Sequence, residues 1–333
     1  MQRAFLSLVL VATALSVFFG FAPRATNAQV TGADPLTLDV SPQYPAPYQS
    51  ATITPSSSVF DMAASTIVVT VNGKSLYKGT GGSGISVPLG GPGSVTDVVV
   101  TISGDGQPAA SKELVFHPES VALVVEPVSG THPFYEGSGL VTSEGRVRIV
   151  AIPDVRTSPS HALDPASLIY TWYLGDQELE SDSGTGKSVL DANAPQQYRD
   201  ATVSVTVSSP DGNEIAQSQT TISPVSPLVR LYENDPLLGP LYDNALGNSV
   251  TMPDAEDTYR GVPYYFSETP VVSWGVNGVP SGTANDITVR SSGNGQGSAV
   301  LTFSATESDT SQSANSTVSV NFGQQQSSGI FGL

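Results

Sequence analysis

The stretch YTWYLGDQELE, Tyr170 to Glu180, alternates apolar and polar residues around a tryptophan and then reaches a Gly175-Asp176 pair. A second stretch, VSWGVNGVP from Val272 to Pro280, places its tryptophan three residues before Asn277-Gly278. A third, IVVTVNGKS from Ile67 to Ser75, carries Val69 where the others carry tryptophan and ends at Asn72-Gly73. Trp172 and Trp274 are the two tryptophans of the chain, and they fit either a pair of ligand-stacking rings or one core position used repeatedly. Asn-Gly after an alternating apolar run is a strong hairpin signal, because both residues tolerate positive φ. A position that accepts Val or Trp behaves as a buried apolar site, so Trp172, Trp274 and Val69 are expected in the cores of separate units.

The copies extend in both directions. Each is followed by an alternating strand centred on Thr: VVTIS from Val99, SVTVS from Ser204 and VLTFS from Val300. Turn pairs Asp105-Gly106 and Asp211-Gly212 come next in two of them, and each copy closes with a further strand, ELVF from Glu113, QTTIS from Gln219 and TVSVNF from Thr317. The openings are LTLDVSP at Leu36, VALVVEP at Val121 and LVRLYEND at Leu228. EPVSGTHPFYEG from Glu126 and ENDPLLGPLYDN from Glu233 both place Pro seven residues after Glu, then an apolar residue, Tyr and an acid. Short strands and turns in units of this size predict an all-β chain of three tandem antiparallel β-sandwiches, at 34–118, 119–226 and 227–323, with a flexible tail at 324–333.

The Y-x-W-x-x-G run of Tyr170 to Gly175, followed by SVTVSSPDG, resembles the polycystic-kidney-disease (PKD) type of immunoglobulin-like module. The resemblance is strongest in the middle unit and weakest in the first, where Val69 replaces tryptophan. A looser resemblance is to exported proteins of candidate-phylum bacteria, some encoded near type IV pilus genes, and it implies a surface or envelope context.

Compartment is read from the first residues. Arg3 precedes an uncharged apolar run of 19 residues, Ala4 to Ala22, and a small-residue site, Thr26 to Ala28, follows Pro23. That order predicts a secretory signal peptide over 1–28, with an uncleaved anchor as the alternative. Arg3 and Arg24 account for two of the 13 basic residues; the remaining 11 face 30 acidic ones, a net charge of −19 for the exported part. Such a surface repels nucleic acid, so nucleic-acid binding is excluded, and no membrane span is expected beyond the N-terminal segment. The chain has no cysteine, which removes disulfides, thiolate metal sites and a lipidated cysteine together.

Motifs with chemical content are few. SDSGTGKS, Ser181 to Ser188, ends like a phosphate loop, but Ser181 stands where that motif needs Gly and acidic residues precede it. It reads as a polar hairpin loop. His117, His132 and His161 lack metal-site spacing, and no G-x-S-x-G elbow supports a hydrolase. Glu126, Glu136, Glu233, Asp235 and Asp243 gather near unit starts, and Asp211 and Glu214 sit at a strand turn. Clustered carboxylates could ligate Ca²⁺, which accepts irregular oxygen shells, although solvated charge is the plainer reading. Tyr135, Tyr242, Tyr264 and Tyr265 could present a sugar-stacking platform, but Tyr135 and Tyr242 occupy equivalent repeat positions, which favours core or junction packing. The apolar end of the tail, Ile330 to Leu333, could dock on a partner. The sequence therefore points to an exported, acidic, non-catalytic structural or interaction protein: a spacer or adhesion component of a bacterial envelope or pilus-associated assembly, periplasmic, cell-surface or extracellular. Its partners would be envelope proteins or surface glycans. A carbohydrate-binding protein of the same fold is the alternative, and a hydrolase comes third.

Overall fold

The computed structural model describes residues 34–104, 106–133, 135–291 and 296–323. The signal-peptide reading at 1–28, Asp105 of the first turn pair and the tail at 324–333 lie outside the described residues. Strands dominate, and the sole helical element described is a 3₁₀ turn at Pro165–Ser167, capped by the Asp164 side chain.

In the first sandwich, β1 (Thr37–Ser41), β2 (Ser50–Ser56) and β5 (Ile85–Pro88) form one sheet in the order β1-β2-β5. Facing it are β3 (Thr66–Val71), β4 (Lys74–Thr80), β6 (Thr96–Ser103) and β7 (Ala110–Phe116), ordered β4-β3-β6-β7. The second sandwich repeats the plan. Here β8 (Ser120–Pro127), β9 (Arg146–Asp154) and β15 (Val189–Asn193) oppose β12 (Ile169–Leu174), β13 (Gln177–Glu178), β16 (Ala201–Ser208) and β17 (Ile215–Ile222). A small hairpin, β10 (Arg156–Ser158) with β11 (His161–Ala162), and the two-residue β14 (Gly184–Thr185) decorate it. The third sets β18 (Leu228–Asp235), β19 (Gly239–Pro240), β21 (Glu256–Tyr264) and β24 (Asp286–Arg290) against β20 (Ser249–Thr251), β22 (Val271–Val276), β23 (Val279–Gly282), β25 (Gly297–Thr306) and β26 (Ser313–Phe322). This is the strand arrangement of an immunoglobulin-like sandwich, repeated three times in tandem. Every ladder between strands is antiparallel save β20 with β26, which is parallel.

Local turn chemistry sets the repeats. Asn72-Gly73 has φ of 48° and 75° and Asn277-Gly278 has 51° and 80°, the double-positive signature of a type I′ hairpin turn. Gly175 alone is positive in its pair, at 58°, which is type II′. Both asparagines also latch the turn to the neighbouring strand. Asn72 Oδ1 accepts from the Asp97 N–H, and Asn277 Oδ1 accepts from the Val300 N–H, each at 2.9 Å. Gly175 has no side chain for that bond and keeps the backbone contact alone, N–H to the Thr202 carbonyl at 2.8 Å.

Packing follows from the alternation. Val69 lies opposite Val100, Trp172 opposite Val205 and Trp274 opposite Phe303, all buried between two sheets. Each sandwich closes on its own apolar cluster: Leu36 to Phe116 in the first, Val121 to Ile222 in the second, Val229 to Val320 in the third. In the third, Phe303 packs 4.8 Å from Trp274, and a Cβ on Gly261 would fall 2.4 Å from the Phe303 ring. Glycine is therefore needed on β21 where the aromatic pair fills the space between sheets.

Candidate functional site

The chemistry-bearing side chains gather where one sandwich meets the next. Between the second and third, Gly130 N–H donates to the Phe266 carbonyl at 2.9 Å and Tyr265 N–H returns a bond to the Gly130 carbonyl at 2.8 Å. This two-way clamp carries His132 into a nest of tyrosines. Its ring stacks on Tyr242 at 4.2 Å with planes 9° apart, and meets Tyr135 and Tyr264 edge-on at 5.4 and 5.6 Å. The hydroxyls pair as well, Tyr232 with Tyr264 at 2.7 Å and Tyr135 with Tyr265 at 3.0 Å. Burial, followed by the bond to Tyr232, raises the Tyr264 phenol above its usual range. The bond to Tyr135, with burial second, pushes Tyr265 up to about 12. Both shifts keep these two phenols neutral at physiological pH, where they act as hydrogen-bonding packing groups.

The four tyrosines singled out in the sequence thus converge on one junction. The two repeat-equivalent ones, Tyr135 and Tyr242, meet there through His132. Their faces are covered by one another and by the imidazole, while Tyr264 and Tyr265 are buried. They form a junction cluster packed ring against ring. Its tyrosines line a cavity of about 530 Å³, whose rim also carries Glu136, Arg230 and Asp243.

The candidate calcium ligands separate. Glu136 and Asp243 share that cavity rim, whereas Glu126 is exposed on β8 opposite Arg148 and Glu233 lies half-buried on β18 opposite Tyr259. Asp235 accepts the N–H groups of Leu237 and Leu238 at 2.7 and 2.9 Å, which holds its carboxyl below the usual range. Among the described residues no three His, Asp or Glu side chains stand together as a metal site. Asp211 is occupied by Ser209 and Asn213 in its turn. His161 is exposed on β11, and His117 is half-buried beside Asn213 and Ile215.

The phosphate-loop look-alike folds over the core. Lys187 Nζ donates to the Ser181 carbonyl at 2.6 Å, the Lys187 carbonyl accepts from Trp172 Nε1 at 2.9 Å, and Ser183 Oγ accepts the Trp172 N–H at 2.9 Å. Its lysine is held within the loop, and the loop serves as a lid on the tryptophan.

A residue that carried no sequence signal dominates the first junction. Glu119 is buried, and its carboxylate accepts the Gly93 N–H of the first sandwich at 3.0 Å and the Arg156 N–H of the second at 2.9 Å. Burial is the main reason its pKa is pushed up from the ordinary 4.5 to about 7, with the Asp154 and Glu214 carboxylates adding repulsion against the two backbone bonds. A carboxyl with a raised folded-state pKa stabilises the fold below pH 4.5, and that contribution is lost as pH climbs to about 7. Urea titrations between pH 4.5 and 7.5 should show stability declining across that window, and Glu119→Gln should flatten the slope. An unchanged slope in the variant would show that another group is responsible.

The fold and these hydrogen-bonded junctions define a tandem immunoglobulin-like β-sandwich protein. Among the described residues no helix is long and apolar enough to cross a membrane. No protein-family model matches the chain, and no curated protein does. It is similar to solved structures of tandem-domain proteins. One is the three N-terminal domains of the bacteriophage RB49 highly immunogenic outer capsid protein, at 12% identity over 88% of this chain and 100% of that one, TM-score 0.26. A second is Sidekick-1 immunoglobulin domains 1–5, at 12% identity over 89% of this chain and 61% of that one, TM-score 0.28. A third is the Bacteroides ovatus mixed-linkage glucan utilization locus protein SGBP-B with a mixed-linkage heptasaccharide, at 14% identity over 88% and 71%, TM-score 0.21.

Proposed function

We propose that the chain is an exported, non-catalytic interaction protein with modules at 34–118, 119–226 and 227–323, acting as a spacer or adhesion component of a bacterial envelope or pilus-associated assembly. The observation that carries this reading is the construction of the junctions. Glu119 bonds backbone on both sides of the first. At the second, Gln312 bonds the Ser143 carbonyl at 2.8 Å and Glu144 bonds Ser311 at 2.8 Å. Side chains used to fix one sandwich against the next suit a protein whose product is the placement of its loops, with affinity supplied by loop contacts or strand addition. Proximity labelling by the full chain fused to a peroxidase, in the cells that make it, tests the reading. Biotin should appear on exported envelope proteins; labelling of cytoplasmic proteins alone would overturn it.

A further inference from the structure

Six described non-glycine residues have left-handed backbone: Tyr48, Asn72, Glu144, Tyr198, Tyr265 and Asn277. The asparagines belong to hairpin turns and Tyr265 to the backbone clamp. Glu144 (φ 60°) and Tyr198 (φ 64°) face one cleft between the second and third sandwiches. Each is the third residue of a hydrogen-bonded turn, Thr142–Gly145 closed at 3.0 Å and Gln196–Arg199 closed at 3.1 Å. A type II turn wants Gly or Asn there, so a side chain at that position is held against backbone preference.

For Glu144 the compensation is visible: its carboxylate accepts from Gln196 Nε2 at 3.1 Å and from Ser311 Oγ at 2.8 Å. For Tyr198 there is none within the fold, since the residue is 92% exposed. An aromatic ring kept in an unfavoured backbone state and left in solvent is explained by what it meets outside the chain.

We propose that this cleft binds a neutral oligosaccharide, with Tyr198 as the stacking face and the Glu144, Gln196 and Gln197 side chains as hydroxyl partners. The proposal rests on reading the chain as a binding protein and assigns that protein a ligand. The cleft holds about 410 Å³, within the range of roughly 300–1,000 Å³ typical of small-ligand sites. Gln196, Gln197, Ser226, Ser311 and Gln312 give it an amide and hydroxyl lining, and no Lys, Arg or His lines it among the described residues. With Glu144 as its sole charged lining residue, the cleft disfavours phosphate, sulfate and uronate. Besides Tyr198, Pro227 is the one apolar side chain lining it among the described residues, too little to anchor a peptide. A sugar ring matches this set, an apolar C–H face for the phenol and hydroxyls for planar amides and a carboxylate. The floor is pre-set, because Gln312 is fully engaged with Ser143 and Ser267 and locks the two sandwiches beneath the cleft. Tyr48 offers a contrast at the first junction. It is also exposed and left-handed, but its cleft contains Arg156 and a single serine, Ser94.

The test is a neutral-glycan array followed by calorimetry on the full chain with cello-, xylo-, manno- and maltohexaose, with an oligogalacturonate as the anionic control and a proline-rich decapeptide as the peptide control. At least one neutral hexasaccharide should bind, Tyr198→Phe should keep that binding, and Tyr198→Gly should weaken it tenfold or more. Tyr198→Gly should leave the melting temperature unchanged or higher, because Gly suits the turn, so lost binding would not reflect lost fold. Tyr48→Gly should bind normally. Failure of every neutral glycan, binding of the uronate alone, a preference for peptide, or full binding by Tyr198→Gly would each overturn the proposal. The proximity-labelling result stands apart from all four outcomes and judges the wider reading by itself.

Discussion

Replacing Trp172 by alanine should destabilise the second sandwich by about 3–5 kcal/mol, the usual cost of emptying a buried aromatic site. The side chain is fully buried among the residues from Val121 to Ile222, and its indole N–H holds the Lys187 carbonyl at 2.9 Å. Removing it opens a cavity between the sheets and also frees the loop from Ser181 to Ser188 that lies over the ring. The sharper comparison uses phenylalanine. Trp172→Phe loses a made hydrogen bond, worth about 0.5–1.5 kcal/mol, in addition to ring volume. Trp274 has a buried Nε1 with no partner. Trp274→Phe removes that unpaired donor, and the gain offsets part of the volume lost, so it should be the milder change. Urea unfolding followed by far-UV circular dichroism checks both; equal costs for the two phenylalanine variants would refute the argument.

Gly93→Val should open the first junction while leaving each sandwich folded. Gly93 has φ of +71°, and a Cβ there would lie 2.5 Å from the Ser158 carbonyl carbon and 2.8 Å from the Pro159 nitrogen, backbone atoms of the neighbouring sandwich that have no flexible end to yield. Left-handed backbone costs a β-carbon about 1–2 kcal/mol and overpacking about 1–3 more. Separation of the two sandwiches relieves the clash, at the expense of the Gly93 N–H bond to Glu119. Gly212→Val is the matched control, with φ of +77° and nothing within 4 Å of the added carbon. Small-angle scattering should report one fixed arrangement for the parent chain and for Gly212→Val, and a broadened one for Gly93→Val. Identical profiles for all three would remove Gly93 from the account.

What could be read in advance depended on how local its cause was. The hairpins at Asn72-Gly73 and Asn277-Gly278 are legible because positive φ is a property of the two residues themselves. The sheet alternation in SVTVS and VLTFS is legible for the same reason, since neighbouring side chains point to opposite faces. The parallel strand β20 is not, because three residues carry no period and their pairing with Ser319 to Asn321 is set by the rest of the sandwich. Glu119 gives no local sign either. Its burial comes from Gly93 and Arg156, 26 and 37 residues away. Tyr135 and Tyr242 could be matched as repeat positions, but nothing in the pattern says that the two copies would face each other across His132. Tyr198 and Glu144 are invisible because turn rules call for Gly or Asn where they stand, and nothing local marks a residue held against them.

Trp172 and Trp274 fall one to each of the later sandwiches, while the first has Val69 at the corresponding place. Indole emission from this chain is therefore a two-channel signal with a silent third unit. The channels also differ in kind, because one indole N–H is bonded to a carbonyl and the other is not. A transition recorded in the far-ultraviolet without any change in emission belongs to the first sandwich, and removing either indole assigns the remaining light to a single module without adding a label.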